Sequence, residues 1–186
     1  MKIYTRKGDD GTTGLLYGGR IEKDDLPTEA YGTLDEAVAA IGLARSMKPV
    51  AEGLEQKLLQ VQRELFVAGA ELATAKENSS KLKPGISKLT DEMVAALEAQ
   101  IDLVTEQAPL PDYFIVPGAT AVSAALDLAR SIVRRAERVV VSMKRNDVLA
   151  DEVVLRYLNR LSDFLFAAAR FEEQAAGAEA ERSRQD

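Results

Sequence analysis

A chain of 186 residues with 24 Lys and Arg against 30 Asp and Glu carries a formal net charge of −6, which argues against nonspecific nucleic-acid binding. Hydrophobic residues make up 46% and charged residues 29%, a balance that suits one globular domain and excludes a disordered chain. Cys and His are both absent, which removes disulfides, thiolate nucleophiles, histidine bases and Cys/His zinc sites, leaving carboxylates, arginines, lysines or a cofactor to carry any chemistry.

Aromatics are scarce and Trp is absent, which favours helix packing over a β-sandwich. No apolar run approaches the roughly 18 residues that a membrane span requires. The opening MKIYTRKGDDG lacks the apolar core of a signal peptide, and the expected location is the cytoplasm.

In chain order, GDDGTTGLLYGG within the first twenty-odd residues reads as an ordered loop or a short strand pair. Ala30, Leu34, Val38, Ile41 and Ala44 recur at helical spacing and predict a helix from Thr28 to about Met47. A second helix is predicted from about Glu52 to Lys76, with Leu54, Leu58, Val61, Leu65, Ala68 and Leu72 on one face. The stretch NSSKLKPGISK is a polar surface loop. Thr90 then suits an N-cap, with Asp91 and Glu92 well placed for the helix dipole, and the third helix runs to the Pro109/Pro111 linker. In YFIVPGA, Pro117-Gly118 precedes a fourth helix that runs to about Lys144, and a fifth runs from about Ala150 to Ala175. Residues 176–186 are polar and expected to fray. The fold expected is all-α: one domain over residues 1–175, a five-helix up-and-down bundle with an ordered N-terminal loop.

The fourth helix divides into two stripes at about 100° per residue. Ala129, Ile132, Val133, Ala136, Val139, Val140 and Met143 form an apolar stripe, whereas Asp127, Arg130, Arg134, Glu137 and Arg138 lie opposite. Such a face suits plain solvation, with Glu137 as internal counter-ion. It equally suits an anion, because stacked arginines repel one another and their forks match phosphate. On the fifth helix the core residues run from Val153 to Ala168, and Arg156, Arg160, Asp163 and Arg170 are placed on the other face, with Asn159 at its edge. Asn159 suits either helix packing or a sugar or phosphate oxygen.

In TRKGDDGTTG the glycines permit close approach of backbone to ligand and the threonines offer hydroxyls. It is neither a Walker A loop nor a dinucleotide-binding fingerprint. An ordinary hairpin is the competing reading, and Lys23 in EKDD alone reads as a surface lysine.

Taken in order, TRKGDDGTTGLLYGGRIEKDD, EAYGTLDE, FIVPGA, ARSIVRRAER and YLNRLSDFLFAAAR resemble the PduO-type ATP:cob(I)alamin adenosyltransferases. The resemblance implies a trimeric five-helix bundle with active sites between subunits. It implies transfer of the 5′-deoxyadenosyl group of ATP to cobalt of cob(I)alamin, with release of triphosphate. The ATP site would comprise Thr5, Arg6, Lys7, Gly8, Thr13 and Lys23 of the 1–25 segment with Arg134, Arg135, Glu137, Arg138 and Asn159. Arg134, Phe114 and Asn159 would act at the reaction centre, Phe114 packing under the corrin to exclude a lower axial ligand. Asp35 and Arg130 would pair across the subunit interface. ATP and cobalamin are the implied substrates and Mg²⁺, carried on the phosphates, the implied ion. A reductase and an adenosylcobalamin-dependent acceptor enzyme would be partners. Because Co(I) is itself a strong nucleophile, a chain without His or Cys suffices.

The chain departs from that pattern. Ala119 stands where the family usually has a second glycine, Asp127 where it usually has His, and Pro27 where an arginine is common. The stretch Ala37-Val38-Ala39 lacks the usual Asn. Asp127, one turn from Arg130, is expected to compete with Asp35 for that arginine. A noncatalytic ATP or corrinoid sensor on the same bundle is the alternative, and Asp127 is its main support.

Overall fold

Local signals set where each helix begins. Thr90 Oγ1 accepts from the Met93 N–H at 3.3 Å, capping the third helix as its sequence implies. The fourth opens with a reciprocal capping box, Ser123 N donating to Thr120 Oγ1 at 2.9 Å and Thr120 N to Ser123 Oγ at 3.1 Å. Pro117-Gly118 precedes it as the sequence implies, Gly118 taking a φ of 125° that no helix continues.

The computed structural model describes residues 3–184. It contains a short antiparallel pair, β1 (Thr12–Gly14) and β2 (Arg20–Glu22), with Thr13 opposite Ile21. Five helices follow: α1 (Leu26–Ser46), α2 (Leu54–Leu72), α3 (Asp91–Gln107), α4 (Ala121–Arg145) and α5 (Val153–Ala175). A 3₁₀ segment, Lys76–Lys81, begins the connection from α2 to α3. α2 is shorter than its periodicity suggests. Gly53, at a φ of 71°, stands just before it, and beyond its end the Ala73 carbonyl accepts from the Leu16 N–H at 2.8 Å instead of carrying the helix on.

α1 packs against α2 and α4, and α5 against α4 and α3. The stripes read from periodicity form the core, in which Leu34, Ile41, Leu58, Leu65, Val133, Leu158 and Phe164 are essentially sealed from solvent. Buried polar groups tie the helices together. Tyr157 donates to Glu64 Oε2 at 2.6 Å, and Glu172 accepts from the N–H groups of Val50 and Ala51 at 3.0 and 2.9 Å.

The C-terminal segment does not fray over its described length. Ile115 and Arg182 form an antiparallel bridge, Val116 N donates to Glu181 O and Ser183 N donates to Phe114 O, both at 2.8 Å. Ala180 is buried, and the Arg182 guanidinium lies 4.2 Å from the Tyr113 ring centroid. A polar composition suggests fraying, but exposed backbone of the 113–116 linker offers this segment hydrogen bonds that composition does not reveal.

Candidate functional site

The N-terminal loop is held in shape by two cations and one carboxylate. Lys23 Nζ donates to Gly8 O at 2.6 Å and Lys23 N to Gly11 O at 2.9 Å. Arg20 Nη2 donates to Lys7 O at 2.5 Å, and Arg20 Nε to Thr12 Oγ1 at 3.0 Å. Asp10 Oδ1 accepts from Thr12 N at 3.0 Å and Thr12 Oγ1 at 2.9 Å. Those two bonds hold the Asp10 carboxyl below its ordinary range, with the Arg20 charge adding to them. A Cβ at Gly8 would stand 3.2 Å from both Lys23 Nζ and Thr12 O, so a side chain there would crowd the point where the loop closes on Lys23. Arg6 takes a left-handed φ of 62°, sparsely populated for a residue with a side chain. Thr5 Oγ1 accepts from Lys7 N at 3.4 Å, and Thr5, Arg6 and Lys7 are all exposed. Thr13 is half-buried in β1.

The second group lies on α4 and α5. Arg134 and Arg138 are exposed, and among the described residues neither guanidinium pairs with a carboxylate; Arg138 Nη1 bonds only the Arg134 carbonyl, at 3.0 Å. Arg135 pairs with Glu36 of α1. Asn159 Nδ2 donates to Glu137 Oε1 at 3.0 Å, Arg160 Nη1 donates to Asn159 Oδ1 at 2.9 Å, and Arg160 Nε meets Glu98 of α3 at 2.7 Å. The structure therefore gathers Arg134, Glu137, Arg138 and Asn159 on the α4–α5 face and Thr5, Arg6, Lys7, Gly8, Thr13 and Lys23 in and beside the loop. No hydrogen bond or ion pair joins the two groups among the described residues.

Asp35 is exposed on α1 and makes no ion pair among the described residues. It borders an apolar cavity of about 460 Å³, lined also by Leu16, Tyr31, Leu65 and the exposed Phe66. Arg130 lies over the Phe166 ring, 5.3 Å from its centroid. Asp35 and Arg130 do not pair within the chain. Phe114 is 87% exposed, yet its backbone is pinned by Ser183.

Two residues placed on polar faces by their periodicity are in fact buried. Asp127 and Arg170, each 6% exposed, meet at 2.7 Å, and Arg170 also takes Glu173 through Nε at 2.7 Å. Asp127 is thus engaged by Arg170 and does not pair with Arg130. Sequence reasoning also missed Arg20, whose only signal is its position in GGR, opposite the TTG strand, and Glu36, a bare acid until α4 packs on α1. Among the described residues no group of three or more carboxylates is arranged to hold a metal ion.

The cobalamin adenosyltransferase family matches over residues 3–172. A corrinoid adenosyltransferase of Bacillus subtilis (strain 168) is 47% identical over 95% of this chain and 89% of its own length. Another, from Citrobacter freundii, is 45% identical over 92% of this chain and 95% of its own. Among solved structures, a phenylalanine-to-histidine variant of the PduO-type ATP:corrinoid adenosyltransferase of Lactobacillus reuteri, complexed with cobalamin and ATP, superposes with a TM-score of 0.89 at 33% identity, covering 99% of this chain and 97% of that one. An arginine-to-lysine variant of the Lactobacillus reuteri enzyme, complexed with ATP, gives 0.87 at 34% identity, covering 98% of this chain and 100% of that one. A match this long, over a five-helix chain whose loop and arginine face carry the family's sequence blocks, leaves one assignment: the chain belongs to the cobalamin adenosyltransferase family.

Proposed function

We propose that this chain transfers the 5′-deoxyadenosyl group of ATP to the cobalt of cob(I)alamin. The Co(I) electron pair attacks C5′, the C5′–O bond breaks with its electrons leaving on triphosphate, and a Co–C bond forms with cobalt formally at Co(III). No proton moves to a protein base, which suits a chain without His or Cys. The protein's work is to bind, orient and neutralise. The observation that carries the reading is the exposed pair Arg134 and Arg138, cations without a carboxylate partner among the described residues, beside the Asn159–Glu137 bond.

In this reading Arg134, Arg138, Lys7, Arg6 and Lys23 take the triphosphate oxygens, while Gly8 and Thr13 bring backbone and hydroxyl to the nucleotide. Glu137 orients Asn159 toward the nucleoside, and Arg135, tied to Glu36, keeps the face in place. No hydrogen bond or ion pair joins the two groups among the described residues, and a neighbouring copy would bring them together to complete the site. A homotrimer in which Asp35 of one subunit meets Arg130 of the next supplies that geometry. A Mg²⁺ ion would ride on the triphosphate, where it would offset the charge of the leaving group; the described side chains gather no carboxylate cluster for it. Phe114 would lie beneath the corrin and keep water and the cofactor's own base off cobalt. Reduction to Co(I) requires a reductase, and an adenosylcobalamin-dependent enzyme would receive the product. We place the reaction in the cytoplasm, where ATP and reductant are at hand; no helix among the described residues is long and apolar enough to cross a membrane.

The test is anaerobic incubation with ATP, cobalamin and a strong reductant. The adenosylcobalamin spectrum should grow in, with one triphosphate released per product. ATP and corrinoid binding without any such conversion would establish the noncatalytic sensor instead.

A further inference from the structure

Two acids and one arginine are shut away together between α4 and α5. Arg170 Nη2 meets Asp127 Oδ2 at 2.7 Å and Glu173 Oε1 at 2.9 Å, and Arg170 Nε meets Glu173 Oε2 at 2.7 Å. Asp127, Arg170 and Glu173 are 6%, 6% and 3% exposed. Burial works against the charge on Arg170, but the Glu173 and Asp127 carboxylates outweigh it and keep the guanidinium ionised. The triad therefore carries one uncompensated negative charge, which is costly in a buried position unless another cation stands near.

Phe166 leads to that cation. The Arg170 guanidinium lies 5.0 Å from its ring centroid and the Arg130 guanidinium 5.3 Å from the same centroid. Asp127 and Arg130 are one turn apart on α4, as are Phe166 and Arg170 on α5. The four side chains form a column across the helix pair in the order Asp127, Arg170, Phe166, Arg130. Counted with Glu173, its charges sum to zero.

We infer that Asp127 is a positioning residue for Arg130, acting through Arg170 and the Phe166 ring to hold the guanidinium where Asp35 of a second copy meets it. The inference rests on the interface reading of Asp35 and Arg130 given above. A long side chain gives up rotamer freedom when it pairs, so an arginine already set on a fixed ring loses less on association. The effect of Asp127 is thus opposite in sign to competition with Asp35.

Sedimentation over a concentration series measures it on the full chain. Asp127→Asn keeps the shape and an acceptor for Arg170 but removes the charge; Asp127→Ala removes both. Association should weaken about fivefold in Asp127→Ala and less in Asp127→Asn, the scale expected of residues coupled through a shared contact. In the background of Arg130→Ala, neither substitution should weaken it further. Asp127→Glu should recover part of the loss, which general loosening of the fold would not allow. Tighter association of Asp127→Asn, or losses that add to those of Arg130→Ala, would overturn the inference while leaving the interface intact. A monomeric wild type would overturn the interface reading and this inference together.

Discussion

Asn159 of α5 donates a hydrogen bond to Glu137 of α4 at 3.0 Å, joining the two helices inside the candidate site. The bond fixes which end of the carboxamide is oxygen, because Asn159 Oδ1 accepts from Arg160 at 2.9 Å. Glu137→Gln should leave helix content unchanged but raise the ATP requirement several-fold, since a neutral acceptor holds the Asn159 amide less strongly than a carboxylate does. Asn159→Ala should go further and cost about 0.5–1.5 kcal/mol of stability by removing the interhelical bond. Steady-state kinetics with thermal melts of both variants would measure the two effects; an unchanged ATP requirement in both would remove Asn159 from the site.

Arg134→Ala should abolish detectable ATP use without altering the circular dichroism spectrum. The side chain is exposed and lacks a side-chain partner among the described residues, so truncation opens no cavity and orphans no acid there. Lys23→Ala should act differently. Its ammonium holds the Gly8 carbonyl at 2.6 Å, so the variant should raise the ATP requirement and also speed hydrogen exchange in residues 8–12. Normal turnover in Arg134→Ala would refute the arginine-face assignment.

Phe114→Ala should bind ATP normally yet turn over slowly from cob(II)alamin. If Phe114 lies beneath the corrin as proposed, loss of the ring would let a lower ligand reach cobalt, raise the orbital the electron must enter and make reduction harder. Phe114→His should be worse in the same assay, because the chain otherwise has no imidazole to offer cobalt. Pre-reduced cob(I)alamin should restore much of the rate in both. Retention of the four-coordinate cobalt spectrum by Phe114→Ala at saturating ATP would reduce the ring to packing.

Glu71 should make the fold less stable as pH rises. Burial raises its pKa to about 7, against the lowering effect of the Leu89 N–H bond at 2.8 Å, and the Asp151 charge adds to the rise. The folded state therefore holds a proton that the unfolded chain has released, so this contribution is full below the ordinary value of 4.5 and is lost as pH climbs to about 7. Glu71→Gln keeps an acceptor for Leu89 and should flatten that slope, gaining about 1–3 kcal/mol at pH 8. Melting curves from pH 5 to 8 that fall equally in both proteins would show that Glu71 does not set the slope.

The sequence alone determined the helices, since a helix buries one face and that face repeats every three or four residues, as Leu54 through Leu72 do. It also determined the chemistry permitted, because a chain without His or Cys leaves few ways to act except through arginine, lysine and a reactive substrate. The loop and arginine blocks were legible for the same reason: each is a local string. Only the tertiary structure decided the fate of Asp127 and Arg170. Helical periodicity puts both on polar faces, but their charges are buried together because α4 and α5 bring them within 2.7 Å, and a local pattern holds no trace of a partner on another helix. The same holds for Glu36 with Arg135 and for the tail beside Phe114, where the partners meet only after the helices have packed. Periodicity reports which face a residue occupies; whether a charge on that face meets water or an opposite charge is settled by what packs against it.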